Sequence, residues 1–197
     1  MTVPVDLDRR FRSAAAAEGL LDVAYDVTDS PVGPLLVAVS DAGVCRVSFD
    51  PDPEQDLDQL ARTFGVRVLR SAPPTDTARR ALDAYFDGRA RDFGLTVDLR
   101  GAPAFQRLVL TELARVPYGQ TATYGQLAAR IGKPRASRAV GGALNRNPVA
   151  IVLPCHRIVG SGGSLVGYGG GLERKRALLE LEGVTLGERS ASSETKR

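Results

Sequence analysis

A change of hydrophobic period near residue 100 constrains this chain more than any other feature. Before it, apolar residues come in short blocks, Val23 to Val27, Pro34 to Val39 and Val44 to Phe49. Turn-rich joints, Asp29 to Gly33 and Asp41 to Gly43, part them. Blocks of this length between Gly, Pro and Asp predict an antiparallel strand meander. Pro53 to Phe64 then follows a cap-like Asp52 as an amphipathic helix, Val66 to Leu69 reads as a further strand, and Thr75 to Phe86 as a further helix. Beyond the polar joint from Arg91 to Pro103 the period becomes helical. The expectation is an α+β chain in four parts: an N-terminal extension (1–21), an α/β domain (22–100), a mainly helical domain (101–186) and a tail (187–197). The tail is rich in Ser, Glu, Lys and Arg and is expected to be disordered. Phe11 to Leu21 has the pattern of a short helix, to which no function is assigned.

Charge divides the chain at the same place. Residues 1–100 hold 12 Lys and Arg against 17 Asp and Glu, whereas residues 101–186 hold 11 against 4. The first half is therefore at −5 and the second at +7. A basic half joined to an acidic one points to a polyanion-binding face on the second, with a merely solvated basic surface as the alternative. No apolar run approaches the roughly 20 residues that span a bilayer. The start carries no secretory pattern, and two cysteines in unlike surroundings make no disulfide framework. A reducing cytoplasm is the expected compartment. With one histidine and two cysteines, a Cys/His metal site is nearly excluded.

In the basic half Phe105, Leu108, Val109 and Leu113 share one helix face. Thr123 and Gln126 match a capping box that opens a helix at Tyr124. Tyr124, Leu127, Ala128 and Ile131 make its stripe, so a half-buried tyrosine is the plain reading of Tyr124. Gly132 closes this helix and Pro134 opens the next, the pattern of a helix-turn-helix. In the second helix Ala136, Ala139, Val140, Ala143 and Leu144 form the apolar stripe. Arg138, Gly141 and Asn145 lie opposite, with Arg135 and Gly142 at the edge. Two glycines inside a helix cost about 1 kcal/mol each. Their bare backbone serves either close approach to a large partner or helix–helix packing.

The chemistry concentrates at Leu153-Pro154-Cys155-His156-Arg157, after the apolar run from Val149. That run reads as a short strand or extended segment ending at the proline. A thiol attacks as thiolate, and a neighbouring imidazole or arginine favours that form. Cys155, beside the single histidine, is a candidate nucleophile; a buried structural cysteine is the alternative. Cys45, in an alternating strand pattern, reads as packing. After Arg157 a glycine-rich segment, Gly160 to Gly171, lacks the Lys-Ser/Thr ending of a phosphate-binding loop and suits a pocket wall. The last helix, Leu172 to Glu182, places a carboxylate near its apolar face at a helix C-terminus, where the dipole disfavours it. His156 is the obvious partner; a solvated last-turn Glu182 is the alternative.

Pro154-Cys155-His156-Arg157, preceded by Arg138-Ala139-Val140-Gly141-Gly142 and Asn147-Pro148, resembles the methylated-DNA–protein-cysteine methyltransferases. Gly167 to Leu172 and Leu178 to Gly183 continue the resemblance, which is strong over about 103–184 and looser over about 22–100. It implies a ribonuclease-H-like α/β domain followed by a winged-helix-like domain with a helix-turn-helix and the active cysteine. It implies single-use transfer of the alkyl group from O6-alkylguanine, and by extension O4-alkylthymine, in double-stranded DNA to Cys155, by a monomer needing no cofactor and no metal. In that pattern His156, through a water and oriented by Glu182, takes the thiol proton. Tyr124 helps swing the nucleotide out and protonates the base, and Arg138 fills the gap in the stack. Gly141, Ala139 and Arg135 join Tyr124 and Arg138 against DNA, in the minor groove. Asn147, Arg157, Ile158, Tyr168 and Gly169 line the pocket, with carbonyls of Cys155 and Ile158 reading the guanine amine. Two rivals stand beside this reading. A cysteine hydrolase would leave the basic helix face unexplained, and a regulatory DNA-binding module would leave Cys155 unexplained.

Overall fold

The computed structural model describes Leu7, Arg10, Ala14, Ala15 and residues 17–185. Of the expected 11–21 helix, Ala14, Ala15 and Ala17 are helical and the chain turns at Glu18 and Gly19, while Phe11, Arg12, Ser13 and Ala16, like the whole 187–197 tail, lie outside the described residues. The meander forms as the alternation requires: β1 (Val23–Thr28), β2 (Leu35–Ser40) and β3 (Gly43–Phe49) pair antiparallel. β4 (Val68–Arg70) joins β1 in parallel, giving the order β3-β2-β1-β4. Helix α1 (Pro53–Phe64) starts at Asp52, whose side chain accepts from the Gln55 N–H. Because side chains alternate along a strand, β2 feeds two cores. Leu36 and Ala38 pack with Val23, Cys45 and Leu60 on the α1 side. Leu35 and Val37 join Ala78, Leu82 and Tyr85 of α2 (Ala72–Phe86) and the core of the helical half.

The second half contains α3 (Ala104–Leu113), α4 (Tyr124–Arg130), α5 (Ser137–Asn145) and α6 (Leu172–Leu181). A short parallel pair, β5 (Ala122–Thr123) with β6 (Ile158–Val159), ties the start of α4 to the segment after the cysteine. The capping box is present in full, with Thr123 accepting from the Gln126 N–H and Gln126 accepting from the Thr123 N–H. Gly132, at φ +72°, makes the turn between α4 and α5. The two halves meet along the free edge of β3. There Val47 bridges to Val149, with the Val47 N–H on the Pro148 carbonyl and the Ala150 N–H on the Val47 carbonyl, while Val44 bridges to Val97 within the first half.

Four local expectations are corrected. α2 begins at Ala72 rather than Thr75, because its prolines fall in the first turn, where no N–H is needed. β4 starts at Val68, and Val66 is among the most exposed apolar residues. In α3 the buried face is Gln106, Val109, Leu110 and Leu113, and Leu108 is exposed. Gln106 earns its burial by donating to the Ala143 and Arg146 carbonyls at the end of α5. Finally, α5 begins at Ser137; Pro134 and Arg135 belong to the turn before it, and Ala139 is exposed rather than part of the stripe.

Thr123→Ala removes one cap of α4 and should lower stability by about 1 kcal/mol, measured by urea unfolding. Full retention of stability would mean that packing alone holds the start of α4.

Candidate active site at the junction of the two halves

The segment expected to be a strand before the cysteine is a compact turn instead. Ile151 sits at φ +70°, a strained conformation for a β-branched residue, and Val152 completes the turn. The turn closes through the Leu153 N–H on the Val149 carbonyl and the Val152 N–H on the Ala150 carbonyl. Asn147 holds it from outside. Its side-chain oxygen accepts from the Val149 N–H at 3.1 Å, and its NH2 donates to the Leu153 carbonyl at 2.9 Å and to Cys155 Sγ at 3.2 Å. Cys155, His156 and Arg157 then form a single 3-10 turn, not an extended strand.

Cys155 stands where two open cavities meet. One, about 370 Å³, is lined by Tyr124, Gly141, Asn145, Cys155, Gly167 and Gly169 and lies beside α4 and α5. The other, about 550 Å³, is lined by Phe49, Asn147, Ala150, Cys155, Tyr168 and Gly170 and reaches the sheet half. Tyr168 packs edge-on against Phe49, and its buried hydroxyl has no partner among the described residues. Burial pushes the Cys155 thiol up, against the Asn147 hydrogen bond and the charge of Lys175. Cys45 lines a separate cavity of about 260 Å³ with Leu60 and Gln106, and burial pushes its thiol to about 12. The thiols thus differ in setting: the Asn147 amide donates to Cys155, whereas the Asp98 charge adds to burial in pushing Cys45 up.

His156 is fully buried. Its Nε2 lies 2.8 Å from Glu182 Oε1, while Nδ1 has no hydrogen-bond partner among the described residues. Opposite a carboxylate Nε2 carries the proton, which leaves the lone pair on Nδ1. Burial holds the imidazole below its ordinary pKa, opposed by the hydrogen bond and charge of Glu182. Arg157, expected on the pocket wall, turns inward instead. Its Nε donates to Glu182 Oε2 at 2.9 Å, one NH2 group to Oε1 at 2.9 Å, and the other to the Val116 carbonyl at 2.6 Å. Burial pushes the Glu182 carboxyl up, but the hydrogen bonds from His156 and Arg157 prevail and hold it at about 2.

The remaining expected residues fall in two places. Arg135 and Arg138 are exposed on the turn and the face of α5, with Ala139 beside them. Gly141 lies beside the Tyr124 ring, where an added Cβ would make ordinary contact at 3.7 Å, so packing against α4 does not require its bare backbone. The half-buried Tyr124 donates its one proton between the Val166 and Gly167 carbonyls, each 3.2 Å away. Gly169 approaches Asn145, since a Cβ there would stand 3.4 Å from the Asn145 carbonyl. Ile158 is fully buried.

Two residues of this region escaped the sequence reading. Lys175 is fully buried and donates to the carbonyls of Ile158 at 2.5 Å, Val166 at 2.8 Å and Gly167 at 3.4 Å. Burial lowers its pKa to about 8. It precedes Leu178, Leu179 and Glu182 at helical spacing, so the stripe itself carried the signal. The other is Tyr85, whose hydroxyl donates to Glu182 Oε1 at 2.8 Å across 97 residues of sequence. Its place on the Ala78-Leu82-Tyr85 stripe foretold burial and nothing of that partner.

An α/β half edge-paired to a helix-turn-helix half, with a recessed cysteine where they meet, is the architecture of a thiol-bearing DNA-binding protein. Comparison with known proteins makes the assignment specific. The model of the 6-O-methylguanine DNA methyltransferase ribonuclease-like domain matches residues 23–99, and that of the same family's DNA binding domain matches 104–184. The methylated-DNA–protein-cysteine methyltransferase of Mycobacterium leprae is 44% identical over 78% of this chain and 88% of its own. That of Methanosarcina barkeri is 42% identical over 80% and 96%. The crystal structure of Mycobacterium tuberculosis OGT in complex with DNA matches with a TM-score of 0.69 and 41% identity, over 81% of this chain and 92% of that one. The chain belongs to the 6-O-methylguanine DNA methyltransferase family.

Glu182→Gln should cost about 3–5 kcal/mol at neutral pH, because it leaves the buried Arg157 charge without its counter-ion. The Glu182 carboxyl is held below its ordinary value, so its contribution is complete above about pH 4.5 and fades as pH falls towards about 2. The stability gap between wild type and Glu182→Gln, followed by urea unfolding, should narrow across that window. A gap independent of pH would contradict the ion pair.

Proposed function

We propose that this chain repairs O6-alkylguanine in double-stranded DNA by moving the alkyl group onto its own Cys155. The observation that carries the reading is the setting of Cys155, recessed between two cavities, hydrogen-bonded by Asn147, beside the His156–Glu182 pair and below the basic helix-turn-helix. The target base must leave the stack to reach a sulfur at that depth. The cavity beside α4 and α5 is the side from which it comes. Exposed Arg138 is placed to occupy the vacated stack, and Tyr124, at the cavity mouth, to turn the nucleotide and supply a proton to the leaving base. Arg135, Ala139 and Gly141 complete the face towards DNA. Gly169 and Tyr168 make the far wall, and the Cys155 and Ile158 carbonyls are proposed to read the guanine amine.

In the chemical step the Cys155 thiol loses its proton through a water to His156 Nδ1, which Glu182 orients from the opposite nitrogen. The sulfur attacks the alkyl carbon, the carbon–O6 bond breaks, and guanine leaves with one proton in place of the one the thiol lost. The thioether has no acid–base leaving group, so the chain is spent after one transfer. We further propose that it acts as a monomer, that residues 22–100 and 101–186 are its two domains, that O4-alkylthymine is a second substrate and that no cofactor takes part. The residues described contain no helix long and apolar enough to cross a membrane. Two free cysteines suit a reducing cytoplasm, the compartment proposed.

Incubation with O6-methylguanine DNA should yield one equivalent of repaired base per chain. Intact-mass analysis should find one added methyl, on the peptide of Cys155 and not that of Cys45. Cys155→Ser should transfer nothing, because an unactivated hydroxyl is a far poorer nucleophile. Repeated turnover without an adduct would replace this reading with a hydrolase.

Arg138→Ala should slow repair of duplex DNA by about tenfold or more, while reaction with free O6-benzylguanine, which needs no flipping, stays near wild type. Equal losses on both substrates would remove Arg138 from the flipping role.

A further inference from the structure

The network around Glu182 contains one side chain from the other half of the molecule, Tyr85, which the mechanism above does not use. We propose that Tyr85 of α2 is a positioning residue for alkyl transfer, fixing Glu182 Oε1 towards His156 and so making the ribonuclease-like half part of the proton-accepting machinery. The proposal rests on the reading that His156 accepts the thiol proton.

The plain reading of Tyr85 is core packing, and its ring does pack. It meets Phe86 and Tyr118 edge-on and Phe93 at a tilt, with centroids 5.4, 6.1 and 5.0 Å away. The hydroxyl is what packing leaves unexplained. Oε1 accepts from three residues: the Tyr85 hydroxyl at 2.8 Å, His156 Nε2 at 2.8 Å and Arg157 through an NH2 group at 2.9 Å and Nε at 3.2 Å. Oε2 accepts from Arg157 Nε at 2.9 Å and the Gly119 N–H at 3.1 Å. Arg157 alone neutralises the carboxylate, and both oxygens stay hydrogen-bonded without Tyr85. Its hydroxyl therefore acts on the one oxygen that faces the imidazole.

The direction of that action follows from elementary electrostatics. A neutral O–H donated to Oε1 draws charge away from it, so the carboxylate supports an imidazolium less strongly. Burial, the positive charge of Arg157 and that of Lys175 press on His156 in the same sense. Among the titratable groups near the pair, Cys155 and Arg157 come from its own turn, Lys175 from α6, Tyr118 from the loop before β5 and Tyr85 from α2. Burial and the Glu182 charge push the Tyr85 phenol far up, so it remains a donor throughout the working range. With Tyr85 in place His156 stays neutral, Nε2–H on Glu182 and the Nδ1 lone pair free for the proton. Without it the imidazolium gains, and the base is occupied at pH values where the wild type is ready.

Tyr85→Phe keeps the ring and removes only the hydroxyl. Because the chain holds a single histidine, the imidazole titration can be followed by NMR without assignment ambiguity. In Tyr85→Phe the His156 midpoint should rise by about one pH unit. The acid limb of single-turnover methyl transfer should move up with it, making transfer about tenfold slower on that limb and nearly unchanged on the alkaline plateau. A purely structural Tyr85 would lower the melting temperature, or the rate at every pH, and leave both midpoints in place; that result overturns the proposal. A shifted NMR midpoint with an unmoved acid limb also overturns it, because His156 would then not carry the proton. Should the wild type itself transfer no alkyl group, the underlying functional reading falls first, which the wild-type control distinguishes from a silent Tyr85→Phe.

Discussion

The buried carboxylate of Glu182 is the point on which the two halves of this molecule depend. Placed at the C-terminus of α6, it meets the unfavourable end of a helix dipole, and with no exposed side-chain surface it has lost its hydration. Neither condition is tolerable for an anion alone. Arg157 supplies the countercharge, the Gly119 N–H and the Tyr85 hydroxyl fill remaining lone pairs, and His156 takes its share of Oε1. A buried ion pair of this kind is weak evidence for stability, since well-packed apolar residues serve as well. Its geometry is better explained by what it does to His156, which it fixes in one tautomer.

The turn before the cysteine solves a second problem, that of delivering a thiol from a packed core to a cavity within a few residues. An uninterrupted strand would have carried the chain past the site. The turn at Ile151 and Val152 reverses it, at a backbone cost of about 1–3 kcal/mol for a β-branched residue in the left-handed region. Asn147 offsets that cost with three hydrogen bonds, the last of them to the sulfur itself. On its other side the segment is anchored to the edge of β3 through Val47 and Val149. The sheet half thus holds the Cys155 segment from one direction through the backbone, and the Glu182 carboxylate beside His156 from another through Tyr85.

Legibility followed the range of the interaction. Elements fixed by local chemistry were readable in the residues: the Asp52 cap of α1, the Thr123–Gln126 box of α4, the meander and its turns. The Glu182 partner was foreseen because a last-turn carboxylate on an apolar face poses a local conflict and the chain offers one histidine. Where tertiary contacts overrode local preference, reading failed. Leu108 looked like core but is outranked by Gln106, whose amide caps the end of α5 across 37 and 40 residues of sequence. Val149 to Leu153 has every mark of a strand and becomes a turn because Asn147 and the β3 edge claim its hydrogen bonds. Arg157 was placed on the pocket wall because nothing local shows that a guanidinium will bury itself under Glu182. Tyr85 lay beyond reach for the same reason.

The electrostatics of Cys155 bear on why such an acceptor is buried at all. A standing thiolate would be the faster nucleophile, yet it would also be open to oxidation and to every passing electrophile. Under the proposed single-use transfer, each idle reaction would remove a whole protein. Burial pushes the Cys155 thiol up and so keeps it protonated at rest. The groups that favour the anion, the Asn147 amide and the buried Lys175 charge, are held within the site and become decisive only as a proton acceptor engages. Lys175 spends its three hydrogens on the carbonyls of Ile158, Val166 and Gly167, which also gathers the glycine-rich wall around the cavity. One cation therefore shapes the pocket and biases the thiol. Among the described residues Cys45, with its thiol near 12 and packed with Leu60, has no side-chain amide donating to it and no imidazole beside it. Both sulfurs are buried, so any selectivity between them must come from their neighbours.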